Sequence, residues 1–242
     1  MATITEQTVS EIAIENPAST RVFESLGIDY CCGGKIPLKD ACFKANVSPE
    51  SVLQLLDNLK EAVGQAEPEK WVNAPFSELT GYIVSTHHDS VRSNGPRLLA
   101  LLQKVKDRHE WVHPEVTTIN DVFAALYQEL CIHMLKEEQV LFPYLNSMDA
   151  AVQAGNAAPP PAFFGSVRNP IERMLADHND AGHSMARIST LSSGYQTPPD
   201  GCPTFRALYH GLAEFESNLH RHVHLENNIL FPRALEMEKS GK

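Results

Sequence analysis

Long apolar runs are missing from this sequence: no stretch approaches the roughly 18–20 residues that a bilayer-spanning helix needs. A basic surplus is missing too. Lys and Arg number 20 against 30 Asp and Glu, a net charge of −10. That balance argues against a polyanionic partner, because nucleic-acid binding depends on clustered Lys and Arg. Nor does any basic cluster adjoin an apolar face, as in a helix that lies on a membrane. Cysteine is scarce and odd in number, five in 242 residues, which does not describe a secreted disulfide scaffold. The opening segment MATITEQTVSEIAIENPAST lacks the basic and apolar blocks of a secretory signal, so the expected compartment is the reducing cytoplasm. What remains, 43% hydrophobic and 21% charged, suits a globular chain long enough to bury a core. Its one compositional excess is histidine, with eleven residues.

Apolar residues recur at three- and four-residue spacing, and strand-type alternation is absent, so the fold class is all-α. Residues 1–60 read as a small helical domain in which two helical patterns flank Asp29-Tyr30-Cys31-Cys32-Gly33-Gly34-Lys35. Its second pattern opens at Ser48-Pro49-Glu50, an N-cap followed by proline at the first helical position. A polar stretch, 61–74, reads as a linker. From 75 to 242 four long helical patterns follow, near 76–106, 118–148, 167–191 and 204–237, with Ser77 as a cap for the first. Loops rich in Pro and Gly separate them at 151–166 and 192–203, and the pattern predicts an antiparallel four-helix bundle.

Two segments repeat the form H-x-x-x-E-x-x-x-L-F-P, from His133 to Pro143 and from His222 to Pro232, at an offset of 89 residues. The first and third helices carry a matching pair, Thr86-His87-His88-Asp89 and Asp177-His178-Asn179-Asp180, with His88 and His178 offset by 90. The bundle is thus a duplicated helical hairpin. Residues four apart share a helix face, so His133 with Glu137, and His222 with Glu226, can reach one site. A lone H-x-x-x-E is ordinarily a surface pair. Two copies in register, each with an upstream histidine, instead predict that His88, His133, Glu137, His178, His222 and Glu226 converge on metal. Imidazole with carboxylate suits iron, and two cations use all six ligands while compensating two buried carboxylates. The shared L-F-P reads as structural, with a proline that fits poorly inside a helix. His87 points about 100° away from His88. His109, His113 and His210 have no partner that the sequence names, and His220 and His224 face away from His222. Glu129, four residues before His133, reads equally as an outer carboxylate and as a solvated surface residue. Cys31 and Cys32 read equally as small buried residues at a helix end capped by Gly33 and Gly34, and as a reactive dithiol whose pKa is lowered by a helix terminus and Lys35. Cys42, Cys131 and Cys202 read as structural.

The segments H-x-x-x-E-E-Q-x-L-F-P and H-x-x-L-E-N-N-x-L-F-P, together with D-Y-C-C-G-G-K, resemble the RIC family (repair of iron centres), bacterial hemerythrin-like di-iron proteins. The resemblance covers nearly the whole chain. It implies a hemerythrin-like bundle behind a cysteine-bearing domain, with two non-haem iron ions, oxo- and carboxylate-bridged, on the six residues above. It further implies a role under nitrosative and oxidative stress, with nitric oxide and damaged iron–sulfur proteins as partners. Repair would proceed through nitric oxide binding or reduction, or through iron donation. The family's vicinal cysteines fall on Cys31 and Cys32, its buried acid before the second ligand on Glu129, and a further acid on Asp177, shorter here by one methylene. The alternative is a scavenger or sensor that binds nitric oxide or dioxygen without turnover, a role that needs no cysteine domain. For an oxidase or iron store, ferritin-like Glu-x-x-His pairs would be expected at the metal motif; the repeated motif here is His-x-x-x-Glu instead.

Overall fold

A computed structural model describes residues 4–63, 70–155 and 162–240. Among these residues the regular structure is helical, apart from isolated bridges such as Thr8 with Pro37, and no helix is long and apolar enough to cross a membrane. The chain divides into two compact units, Met1–Pro75 with Val223–Arg233, and Phe76–His222 with Ala234–Lys242.

The first unit holds α1 (Val9–Glu15), α2 (Ser19–Ser25), α3 (Leu38–Ala45) and α4 (Pro49–Val63). A capping box starts α1: the Thr8 hydroxyl accepts from Glu11 N–H at 3.2 Å and the Glu11 carboxylate accepts from Thr8 N–H at 2.8 Å. Ser48 caps α4, accepting from Ser51 N–H at 3.1 Å. Sequence periodicity missed α3, which is only eight residues long and buries a narrow stripe of Leu38, Ala41 and Cys42. The expected linker at 61–74 lies in part, over 64–69, outside the described residues. At its near end α4 continues to Val63.

The second unit is an antiparallel four-helix bundle whose last helix also runs through Val223–Arg233. Its four helical runs are α5 (Phe76–Tyr82) with α6 (Asp89–His109), α7 (Glu115–Lys136) with α8 (Phe142–Gln153), α9 (Arg168–Leu191), and α10 (Pro203–Leu225) with α11 (Phe231–Ser240). The core interleaves apolar faces from each run, including Leu98, Phe123, Met185 and Leu212, with the Phe123 and Phe215 rings 5.2 Å apart. Gly95 allows the closest approach, since a Cβ there would lie 2.1 Å from the Tyr127 ring. Ser77 is not a cap: α5 opens at Phe76, whose N–H donates to Asp149 at 2.9 Å.

Three of the four runs continue through a π-helical turn, at Ile83–His88, Glu137–Leu141 and Glu226–Leu230. Each closes with a bond five residues back, from Asp89, Phe142 and Phe231 N–H to the carbonyls of Val84, Glu137 and Glu226. Two of these turns directly precede Phe-Pro, at Pro143 and Pro232. A proline offers no N–H to the ladder and crowds the preceding turn. The widened turn relieves that crowding, so the helix passes through a residue that would otherwise break it.

Candidate metal centre

The π turns sit where the histidine and glutamate motifs fall. Glu137 and Glu226 are the first residues of their turns and His88 is the last of its own; His133 and His222 lie one turn earlier on α7 and α10. His178 comes from the unbroken α9. All six side chains are buried, Glu137 and Glu226 completely.

They form two groups suited to a metal ion, His88, Glu137, His222 and Glu226, and His133, Glu137, His178 and Glu226, with the ligand atoms of each group within 4.8 Å of one another. Both glutamates belong to both groups. Within each group two imidazoles meet nitrogen to nitrogen: His88 Nε2 lies 3.2 Å from His222 Nε2, and His133 Nε2 lies 3.1 Å from His178 Nε2. Glu137 divides its oxygens between the groups, Oε2 at 3.4 Å from His88 Nε2 and Oε1 at 3.3 Å from His133 Nε2.

The outer contacts fix which nitrogen faces inward. His88 Nδ1–H donates to Glu138 Oε1 at 2.6 Å, and His133 Nδ1–H donates to Asp177 Oδ2 at 3.4 Å. A carboxylate only accepts, so the proton is on Nδ1 and the Nε2 lone pair points into the group. Arg92 donates to Glu138 at 2.5 Å, and Arg173 and Lys136 reach Asp177 at 3.1 and 3.4 Å. Burial raises the Glu138 carboxyl, but the hydrogen bonds from His88 and Arg92 outweigh it and hold the group below the usual carboxylate range. Four imidazoles that turn Nε2 inward and two shared carboxylates make a nitrogen–oxygen donor set of the kind iron takes, with no thiolate in either group.

Glu138 was missed in the sequence because the repeat hides it: the equivalent position in the second copy is Asn227. Glu129, for which the resemblance implied burial, is exposed. It lines the wall of a cavity of about 200 Å3 beside His133, Arg173, Asp177, His178 and Asp180. It lies one turn before His133, but the acid that reaches His133 is Asp177. His87 is in neither metal group; it is buried, stacks on His222 at 5.6 Å and has Nδ1 3.3 Å from Asn218 Oδ1.

Cys31 and Cys32 occupy a turn between α2 and α3 and cap no helix, and neither Gly33 nor Gly34 is left-handed. The Asp29 carboxylate organises that turn, accepting from the N–H groups of Cys31, Cys32 and Gly33 at 2.9, 3.0 and 2.8 Å. Gly34 is required there, since a Cβ would meet the Tyr30 carbonyl oxygen at 2.4 Å. Within the same unit Asn228 donates to the carbonyls of Tyr30 and Cys31 at 3.2 and 3.4 Å, and the buried His224 ring packs on Tyr30 at 5.4 Å. The lowered thiol pKa expected from a helix terminus is not found at Cys31. Its hydrogen bond to Cys32, its burial and the Asp29 charge push that thiol well above the ordinary value.

At the end of α6 and in the segment that joins it to α7, histidines that the sequence left without partners find them: His109 Nε2 is 3.3 Å from Cys202 Sγ, and His113 lies 3.1 Å from both Asp200 and Glu115. Cys202 is therefore half-exposed beside an imidazole at the start of α10, while Cys42 is fully buried.

Residues 5–60 match the ScdA_N domain, described as a domain of unknown function, and residues 80–234 match the hemerythrin HHE cation-binding domain. The iron–sulfur cluster repair protein YtfE of Pectobacterium atrosepticum is 35% identical over 233 residues, covering 96% of this chain and 98% of that protein. YtfE of Yersinia pestis is 36% identical over 240 residues, with the same two shares. A probable iron–sulfur cluster repair protein of Haemophilus influenzae is 31% identical over 230 residues, covering 95% of this chain and 97% of its own. With both domains matched in order and relatives aligned over nearly their full length, this chain belongs to the family of iron–sulfur cluster repair proteins that join an ScdA_N domain to a hemerythrin HHE domain.

Proposed function

We propose that this chain is a cytoplasmic di-iron protein that restores damaged iron–sulfur clusters under nitrosative and oxidative stress. The observation that carries the reading is the pair of buried His/Glu groups that share Glu137 and Glu226. Two cations at those groups would be held by His88 and His222 on one side and by His133 and His178 on the other, with the glutamates common to both. Bound iron supplies a redox-active centre that accepts a small ligand such as nitric oxide and can itself be the cargo donated to a cluster. The protein's own part is to hold Nε2 inward through Glu138 and Asp177, to keep the carboxylates dry, and to leave the cavity beside His133 and His178 as a route for a small molecule. Cys31 and Cys32 serve as a dithiol that passes electrons or iron and builds no part of the centre; neither belongs to the two groups.

The test is recovery of an iron–sulfur enzyme inactivated by nitric oxide, run anaerobically with the iron-loaded chain, the metal-free chain and free ferrous iron at equal concentration. Recovery by the iron-loaded chain above that of free iron supports the reading. Recovery no better than free iron removes it in favour of a nitric oxide or dioxygen binder.

A further inference from the structure

The two vicinal thiols are placed differently. Cys31 is 6% exposed, whereas Cys32 is half-exposed in the same turn. Cys31 Sγ–H donates to Asp29 Oδ1 at 3.3 Å and lies 4.0 Å from Cys32 Sγ. The Cys31 backbone is held on both sides, its N–H by Asp29 and its carbonyl by Asn228. From this arrangement we infer that the pair reacts in a fixed order, Cys32 as the attacking nucleophile and Cys31 as the thiol that follows and resolves. The inference rests on the reading of the cysteines as a working dithiol and adds which sulfur meets the partner first.

The partner class that the order fits is a disulfide or other electrophilic sulfur. Cys32 thiolate attacks one sulfur of a small disulfide R–S–S–R, forming Cys32–S–S–R and expelling R–S⁻. Cys31 then releases its proton to solvent, and its sulfur attacks Cys32 Sγ. The Cys32–S–R bond breaks, a Cys31–Cys32 disulfide forms, and the second R–S⁻ leaves to take up a proton. Two electrons pass from the dithiol to the disulfide. The sulfurs must close from 4.0 Å to about 2.05 Å in that second step. Burial, the Cys32 contact and the Asp29 charge, which keep Cys31 protonated, suit it to waiting and disfavour it as the first attacker, because the thiolate is the nucleophile.

The experiment uses the full iron-loaded chain and two probes, iodoacetamide and glutathione disulfide, with fragment-ion mass spectrometry assigning each adduct among the five cysteines. At limiting iodoacetamide Cys32 should be alkylated on the order of tenfold faster than Cys31, which is buried and held as the thiol, because the thiolate is the nucleophile. With glutathione disulfide, Cys31→Ser should accumulate a stable mixed disulfide at Cys32, whereas Cys32→Ser should accumulate little at Cys31. Equal or reversed alkylation rates would overturn the order, as would a mixed disulfide trapped equally in both variants. Alkylation of the unsubstituted chain needs no variant, so a serine variant that fails to fold leaves the order testable. Neither probe requires repair activity, so failure of the order and failure of the proposed function are told apart.

Discussion

Replacing Glu138 by Ala removes the acceptor that holds His88 in its inward-facing tautomer, while leaving all six proposed ligands in place. The bond is short, 2.6 Å, and the His88 side chain is fully buried, so water cannot readily substitute for the lost carboxylate. A hydrogen bond to a charged group contributes about 1.5–3 kcal/mol net. Loss of an outer carboxylate on a ligating histidine typically weakens metal binding by about 10–100-fold, which is ~1.4–2.8 kcal/mol. The two estimates agree, and the expected loss of ferrous iron affinity lies in that range. Glu138→Gln, which keeps an acceptor oxygen but not its charge, should fall between. Arg92 retains Asp89 at 3.3 Å and is itself well exposed, so the fold should be little affected. Glu129→Ala is the control: as an exposed residue it should change affinity by no more than about twofold. The assay is anaerobic competition for iron(II) against a chromophoric chelator. Iron bound by Glu138→Ala as tightly as by the parent would refute the outer role, as would an equal loss from Glu129→Ala.

Glu137→Ala or Glu226→Ala should abolish much of the rise in Tm that iron brings, because a ligand that binds only the folded state stabilises it in proportion to its affinity; an undiminished iron-dependent rise by calorimetry would place these glutamates outside the centre. Cys31→Ala/Cys32→Ala should keep its iron and its helical circular dichroism but lose recovery of the damaged enzyme, whereas loss of iron would make the thiols ligands. Gly34→Ala should destabilise the first unit by about 1–3 kcal/mol in chemical denaturation, since its Cβ would sit 2.4 Å from a backbone carbonyl oxygen that the turn holds in place; unchanged stability would show that the turn is loosely held.

The long helices were legible because each runs for several turns with its apolar stripe intact, and because the two H-x-x-x-E segments repeat at a constant offset. The same repeat pointed to the six buried residues that meet in the two groups. What stayed hidden depends on local geometry that periodicity does not encode. The π turns leave the apolar spacing nearly unchanged, and their one visible trace, Phe-Pro after the motif, reads as a helix breaker. Glu138 has no acidic counterpart in the second copy, and Asp177 stands where the first copy has His87, so the outer carboxylates break the symmetry that exposes their neighbours. The short α3 buries only the narrow stripe of Leu38, Ala41 and Cys42, and without it the cysteine turn reads as a helix end. Partners far apart in sequence, such as His109 with Cys202, become visible only once the helices are packed.

Iron stoichiometry combined with Mössbauer spectroscopy of the reconstituted chain decides whether these six residues hold a di-iron pair. The sharing of Glu137 and Glu226 between two four-residue groups predicts two irons per chain in a magnetically coupled pair, with both lost together as either glutamate is removed. Saturation at one iron per chain, or two irons that are magnetically independent, would contradict it.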